Sequence, residues 1–239
     1  MQQTNRFNAM VLGLCLLLGL TVLGWLLASA AIKVKEYERS VTVKGLSEQE
    51  FPADVVIWPI QFSLASNDVQ SLNQDIDSNT QKIIAFLTDH TISRSDISYS
   101  TPAITDKLAQ QYGGPNGAEF RYSGVQTVTV YSDDIDGVRA VMNQISELGK
   151  QGIVIAGNNY QTQTEYLFTR LNEVKPGMVE EATRQAREVA EKFAADSDSR
   201  LGKIRKASQG QFSISPRDNN NPHIKKVRVV STVEYYLSD

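Results

Sequence analysis

The stretch that decides the fold is residues 178–204, which read MVEEATRQAREVAEKFAADSDSRLGKI. From Met178 to Ser197 good helix formers alternate with apolar residues three and four positions apart, which predicts a long amphipathic helix introduced by Lys175-Pro176-Gly177. Its predicted buried face consists of Val179, Ala182, Ala186, Val189, Ala190 and Phe193. Because alanine dominates this face, we expect the helix to lie close against a sheet.

Apolar alternation on either side of this helix predicts strands. The predicted strands are Ser40–Glu48, Asp54–Ala65, Ile97–Ile104, Phe120–Ser132, Ile153–Phe168, Gly202–Ser213 and Lys225–Leu237. Pro59 lies in the middle of the second strand and has no N–H, so that strand should be an edge strand or contain a bulge.

Two further helices are predicted from their capping residues. Asn67-Asp68 precedes an amphipathic stretch that reaches Leu87, and Asp133-Asp134 precedes another that ends at Gly149 and Gly152. The resulting order is β-β-α-β-β-α-β-α-β-β. Helices separated by pairs of strands are typical of an α+β fold, in which helices cover antiparallel sheets.

The N-terminal segment is long and apolar, with no charged side chain between Phe7 and Ile32. As a helix it is long enough to cross the hydrocarbon core of a bilayer, which is about 30 Å thick. The membrane span is predicted at residues that include Met10, Leu14, Leu18, Val22, Trp25 and Leu27. We therefore predict a transmembrane signal anchor at residues 1–32 and a soluble domain at residues 33–239.

The same segment has a second interpretation. Ala28-Ser29-Ala30 resembles a signal-peptidase site, and cleavage near Ala30 would release a soluble periplasmic protein. Its apolar run is longer than the usual signal core of about 7–15 residues, which favours an uncleaved anchor. We expect a single-pass protein of the inner (cytoplasmic) membrane whose soluble domain lies in the periplasm.

Two features of the span bear on its surroundings. Gly24 and Ala28 form a small-xxx-small pair that can bring two helices close in lipid, although such residues are common in spans without specific pairing. Cys15, within the span, is the only cysteine. The soluble part therefore has no disulfide, and its lack of thiols suits an oxidising compartment.

Composition and motifs give no indication of catalysis. The chain has 24 basic and 27 acidic residues and a net charge of −3, so no strongly basic balance suggests nucleic-acid binding. No phosphate-binding, dinucleotide-binding or nucleophile motif is present. We expect His90 to cap a helix C-terminus and His223 to be exposed, and we predict no cofactor, no metal and no catalytic residue.

Several motifs together resemble the SIMPL-domain family, the YggE-like group of periplasmic, secreted or membrane-anchored bacterial proteins. Residues 181–194, followed by Leu201-Gly202-Lys203-Ile204, are similar to its A-xxx-A-xxx-A…L-G-K-I tract. Residues 41–45 with Pro52-Ala53-Asp54 resemble its start, and Tyr122 opens a similar strand. Gly149–Gly152 departs from the Gly-Ala turn often found there. The resemblance covers residues 38–237.

The resemblance implies an α+β fold, no catalytic residue, association into large ring- or cage-like homo-oligomers, and a link to envelope or oxidative stress. Our leading hypothesis is therefore a non-enzymatic, membrane-anchored envelope protein that self-assembles. Tyr112, Trp58 and Asn220 are candidate contacts between subunits, although buried or merely solvent-exposed positions would equally fit them. A ligand-binding or chaperone-like periplasmic module and an unrecognised hydrolase are the alternatives.

Overall fold

The computed structural model describes residues 2–36, 39–109, 119–157 and 162–238. The α-helices are α1 (Gln2–Glu36), α2 (Val69–Asp89), α3 (Ile135–Met142), α4 (Ser146–Lys150) and α5 (Leu171–Asp196). The strands are β1 (Ser40–Pro52), β2 (Val55–Ser66), β3 (Ile97–Tyr99), β4 (Ala103–Asp106), β5 (Tyr122–Ser132), β6 (Glu165–Leu167), β7 (Arg200–Gln209), β8 (Ser213–Pro216) and β9 (Ile224–Ser238). The predicted α+β class with antiparallel sheets and an N-terminal apolar helix is confirmed.

The chain forms two compact units, each with its own apolar core. Unit 1 contains residues 1–48, 175–212 and 228–239, and unit 2 contains residues 49–174 and 213–227. The predicted boundary between anchor and soluble domain, at residues 32 and 33, stays a prediction.

Unit 2 is built on a sheet in which β5 and β2 are central neighbours. Val56, Trp58, Ile60 and Phe62 alternate along β2, are all nearly inaccessible, and pack with α2 and α3 into one core. The helices begin where their caps predict. Asp68 accepts a hydrogen bond from the Ser71 N–H at 2.7 Å, as an N-cap side chain should.

The strand predicted at Ile153–Phe168 is wrong as a single element. Phe62 of β2 faces Ile155, and Ile57 faces Glu165, so five steps along β2 correspond to ten steps on the other chain segment. The two ends of the predicted strand therefore lie along the same edge of β2, but they do not continue one register.

Pro59 lies opposite this interruption, which explains why proline is tolerated inside β2. The carbonyl of Gln61 accepts from the Ala156 N–H at 2.7 Å, so the backbone groups of Gln61 point away from β5. In an antiparallel ladder, residues two apart point the same way. Pro59 therefore turns its carbonyl, and the side that lacks an N–H, toward the interrupted edge. The predicted edge strand or bulge is wrong, because β2 lies between β5 and β6 and keeps a continuous register with β5.

Unit 1 is built on a sheet with β9 between β1 and β7. Helix α5 buries one narrow stripe of residues four apart: Met178, Ala182, Ala186, Ala190 and Ala194. At Gly45 of β1 the helix is so close that an added Cβ would collide with the backbone carbonyl of Ala182. The close approach predicted from the alanine-rich face is confirmed.

Two residues predicted for that buried face are exposed instead. Val189 is 38% exposed and Phe193 is 55% exposed, because the buried residues of α5 are confined to the narrow stripe that begins at Met178. The stripe packs with Val43 of β1 and with Val233 and Tyr235 of β9, while β7 is exposed along most of its length.

Helix α5 begins at Leu171, seven residues before the predicted start, so that Pro176 lies inside it. The carboxylate of Asp54 explains this start. It accepts from the backbone N–H groups of Thr169 at 2.9 Å and Arg170 at 3.3 Å, just before the first turn. These bonds fix the helix start upstream of the proline, which then costs one internal hydrogen bond.

Three smaller predictions need correction in their boundaries. The strand predicted at Ile97–Ile104 is divided into β3 and β4, and that predicted at Gly202–Ser213 is divided into β7 and β8. The helix that follows Asp134 ends at Met142, and the short helix α4 follows it. Short interruptions of this kind leave the periodicity of apolar residues almost unchanged, which is why the sequence does not reveal them.

Candidate functional site

Helix α1 has the length and composition of a membrane span. Residues 11–33 have a mean hydropathy of 2.5, and none of these residues is buried within the chain. All six predicted span residues lie in this helix. Five of them have exposed side chains: Leu14, Leu18, Val22, Trp25 and Leu27. For Met10 only the backbone position is described. A signal sequence would share these properties. The structure therefore shows an apolar helix that could either anchor the chain in a membrane or act as a signal sequence.

The predicted helix–helix contact in the membrane stays a prediction. A Cβ added to Gly24 would meet no heavy atom of the rest of the chain within 4 Å, and Ala28 is exposed. A second helix would therefore meet an open surface at both residues.

The three predicted subunit contacts lie in different environments. Trp58 is only 6% exposed and belongs to the core of unit 2, so little of its surface is left for a second copy. Asn220 is exposed, and its backbone N–H donates to the carboxylate of Asp218 at 2.8 Å. Tyr112 lies outside the described residues.

An apolar surface on unit 1 was not predicted as such. Ile204 of β7 faces Tyr235 across the ladder, so both side chains project from the sheet face that carries α5. Ile204 is 50% exposed, and Val189 and Phe193 of α5 are exposed as well. Val189 and Phe193 lie one turn apart on α5, whereas no described contact joins them to Ile204 of β7. We use the name α5–β7 surface for these three exposed residues. The missed signal was that an alanine stripe at i, i+4 spacing buries a face too narrow to include Val189 and Phe193.

A groove of about 440 Å³ lies in unit 2 at the interrupted edge of β2. Its lining is Trp58, Pro59, Ile60, Met142, Ile145, Ile155, Ala156, Gly157, Thr162 and Thr164. We call it the Pro59 groove. One signal in the sequence points to it, namely a proline within an otherwise regular strand.

His223 is not simply exposed, which corrects the sequence-based expectation. Its ring lies 6.0 Å from that of Tyr166, and its Nδ1 is buried without a hydrogen-bond partner in the described chain. Burial, and then the positive charge of Arg139, lower the pKa of His223 below its usual value. Burial also raises the pKa of the Tyr166 hydroxyl. By contrast, the predicted capping role of His90 is confirmed, because its Nδ1 lies 2.8 Å from the Phe86 carbonyl.

The perturbed carboxylates are engaged in structural contacts. Asp218 has its pKa lowered to about 2 by hydrogen bonds from Arg217, and next from Asn221. Asp106 accepts from Arg121 at 2.8 Å, and this contact lowers its pKa as well. The pKa of Asp54 is also lowered: burial opposes this, but bonds from Thr169 and Arg170 outweigh it. Such carboxylates are held in the charged form.

Metal ligands do not gather in the part of the chain that the structure describes. Within it, no group of three or more His, Cys, Asp and Glu side chains lies close enough together to hold an ion.

The fold and these sites define a class: α+β proteins with antiparallel sheets covered by helices, preceded by an apolar helix that could cross a membrane. Comparison with protein families matches residues 41–234 to SIMPL, described as a protein of unknown function (DUF541). The match covers most of the chain, so this chain belongs to the SIMPL family. No curated protein sequence matches it.

Proposed function

We propose that this chain is a non-enzymatic envelope protein, anchored in the cytoplasmic membrane by α1, whose soluble part assembles into a ring- or cage-like homo-oligomer in the periplasm. A role in envelope or oxidative stress is part of the proposal. The observation that carries it is the helix at residues 11–33, which is strongly apolar and has no residue buried in its own chain. A helix of this kind requires lipid or other protein around it.

The length of the helix suits the anchor. Its 23 residues rise about 34 Å at 1.5 Å per residue, which matches a hydrocarbon core of about 30 Å. Lys33 lies at its end, where a long side chain can reach the headgroups. Large downstream domains are translocated largely regardless of flanking charge, so Lys33 and Lys35 after the span do not argue against a periplasmic location.

The α5–β7 surface supports self-association. Val189, Phe193 and Ile204 would lose contact with water if a second copy covered them, which is favourable by about 25 cal/mol per Å². The contact should involve this face rather than the backbone edge of β7. That edge carries Arg and Lys side chains and two register shifts, features that discourage strand pairing.

Anchoring strengthens assembly. Copies held in one membrane meet at a high effective concentration and in a common orientation, so a weak contact between soluble parts suffices. The span of each subunit would lie on the same side of the assembly.

The described carboxylates support a non-enzymatic role. Each one with a resolved pKa shift has a lowered pKa, which applies to Asp54, Asp106, Asp218 and Glu234. A hydrolase that uses a carboxyl as its general acid would instead need one whose pKa is raised.

The test is the mass of the full-length protein extracted in mild detergent, measured by multi-angle light scattering after subtraction of the detergent. We expect several copies of the 26.5 kDa chain for the wild type. Phe193→Asp should reduce the mass, because it places a charge on the α5–β7 surface. Leu108→Asp is the matched control, since Leu108 is 60% exposed in unit 2. A strictly monomeric wild type would overturn the assembly.

A further inference from the structure

We propose that the subunit contact is head-to-tail, with Ile204 of one copy packed against Val189 and Phe193 of the next. This inference rests on the proposed assembly and identifies the two surfaces that meet in it. In a single chain the α5–β7 surface is divided between the two edges of one sheet, because β1 and β7 lie on opposite sides of β9. All the residues concerned belong to unit 1, which the structure describes except for residues 1, 37, 38 and 239.

Helix α5 turns a charged flank toward the β9 and β7 side of the sheet. Arg187 and Glu191 lie on this flank, each one residue after a member of the alanine stripe. Burial raises the pKa of the Tyr235 hydroxyl, and the charges of Arg187 and Glu191 act on the same group, which places this flank near β9. Ile204 of β7 lies opposite Tyr235 in the ladder, and therefore on this side of the helix.

The other flank of α5 carries Glu181, Val189 and Phe193, each one residue before a member of the stripe. The carboxylate of Glu181 accepts a hydrogen bond from the hydroxyl of Ser47, on β1, at 2.6 Å. The stripe itself already lies over Gly45 of β1. The flank with Val189 and Phe193 therefore extends past β1, to the edge of the sheet at which the described residues supply no further strand.

The two parts of the surface lie at the same level of the sheet. The carbonyl of Arg39 accepts from the Leu237 N–H at 2.9 Å. Two residues further into this ladder, Val41 of β1 therefore faces Tyr235 of β9. Tyr235 faces Ile204 in turn, so the three residues form one row across β1, β9 and β7.

A second copy placed edge to edge completes the apolar contact. Ala190, which follows Val189 in α5, packs in one cluster with residues of this row. Displacement of the second copy along the row therefore brings its Ile204 beside β1 of the first copy, next to Val189 and Phe193. The three side chains are exposed in the single chain, and their contact removes apolar surface from water. Only side chains meet, so the backbone edge of β7 need not form a ladder.

The separation of the two parts decides the symmetry of the assembly. A contact between two different surfaces is heterologous and repeats from copy to copy until a ring closes, whereas a contact of one surface with itself relates two copies by a two-fold axis. Rotation about the axis of a ring also keeps every α1 helix on the same face, as anchoring in one membrane requires. A head-to-tail contact therefore suits both a ring and a common orientation of the spans.

Cysteine cross-linking of the full-length protein in isolated membranes tests the contact. Cys15→Ala is the background, because Cys15 is the only native cysteine. Val189→Cys and Ile204→Cys are introduced separately and together, and the products of mild oxidation are separated on denaturing gels. A disulfide requires Cα atoms about 4–7 Å apart, so it reports direct contact. We expect a ladder of dimers, trimers and larger products from the double variant, and products no larger than dimers from the two single variants expressed together.

Each single-cysteine variant alone should form dimers no faster than a matched control. The control combines Val189→Cys with Tyr236→Cys, because Tyr236 is 38% exposed on β9 but follows Tyr235 and so points to the opposite face of the sheet. Adding Phe193→Ala to the double variant should slow formation of the ladder about threefold to tenfold, because less apolar surface is buried in the contact.

Three outcomes would overturn the head-to-tail contact. They are dimers from Val189→Cys alone that form faster than in the control, a ladder from the control as fast as that from the double variant, and no ladder from the double variant. The mass of the wild type by light scattering separates this failure from failure of the assembly. An oligomeric wild type without the ladder refutes the head-to-tail contact alone, whereas a monomeric wild type refutes both.

Discussion

Replacing Gly45 by alanine should push helix α5 away from its sheet. The new Cβ would collide with the carbonyl of Ala182 and lie within 3 Å of two further backbone atoms of the helix. Backbone atoms cannot rotate aside as a side chain can, so the helix itself must move. Overpacking in cores typically costs about 1–3 kcal/mol, and we expect the upper end, about 3 kcal/mol, because all three atoms are backbone.

Hydrogen exchange in the α5 segment of the full-length protein measures this cost directly. A loss of about 3 kcal/mol corresponds to roughly 100-fold faster exchange of the protected amides. Gly177→Ala in the same helix is the matched control, because no atom lies near its added Cβ. Alanine there should slow exchange about twofold to fivefold, since glycine is about 0.5–1 kcal/mol less favourable in helices. If Gly45→Ala exchanges within threefold of wild type, the close approach is refuted.

Further predictions concern single buried or charged groups. Ser231→Ala should leave stability unchanged or raise it by up to about 1 kcal/mol, because the buried Ser231 hydroxyl has no partner in the described chain. Ser47→Ala should cost about 1–3 kcal/mol, because it removes a 2.6 Å hydrogen bond to Glu181. Hydrogen exchange of the unit 1 amides distinguishes the two outcomes. Asp54→Asn should destabilise the first turn of α5 by about 1–2 kcal/mol, seen as faster exchange there and absent in unaffected segments. The pKa of His223 is lower in the folded protein than in the unfolded chain, so the unfolded chain binds the proton first as pH falls below about 6.5. The stability that neutral His223 confers is therefore fully present above that pH, and it is lost as the pH falls toward the folded pKa. One group can change the free energy of unfolding by no more than about 1.4 kcal/mol per pH unit. If the free energy of unfolding of His223→Gln fell as steeply as that of the wild type between pH 7 and 5, His223 would not be the group responsible.

Local signals in the sequence predicted the main elements well. The caps at Asp68 and Asp134 and the alternation along β2 and β5 depend on residues within a few positions of each other. The edge strand or bulge predicted from Pro59 is wrong, because β2 is an interior strand and the proline is tolerated where its pairing on the side away from β5 is interrupted. The early start of α5 could not be predicted, because the carboxylate that fixes it belongs to Asp54, more than a hundred residues away in sequence.

The candidate sites were predicted less completely. The apolar N-terminus identified α1, since span length and composition are directly readable. The exposure of Phe193 depends on which part of the sheet α5 covers. The partial burial of His223 depends on its packing against Tyr166. Both are contacts between residues far apart in sequence, so local patterns do not reveal them. The Pro59 groove needed the register on both sides of the interruption, which only the fold supplies.

The central claim is that the anchored chain assembles through its soluble part. Electron microscopy of the purified full-length protein in detergent tests it most directly, because one image shows both the particle and its micelle. We predict closed ring- or cage-like particles with a single detergent band on one face, which is where every α1 helix would lie. Single-chain particles, or assemblies without a detergent band, would contradict the account.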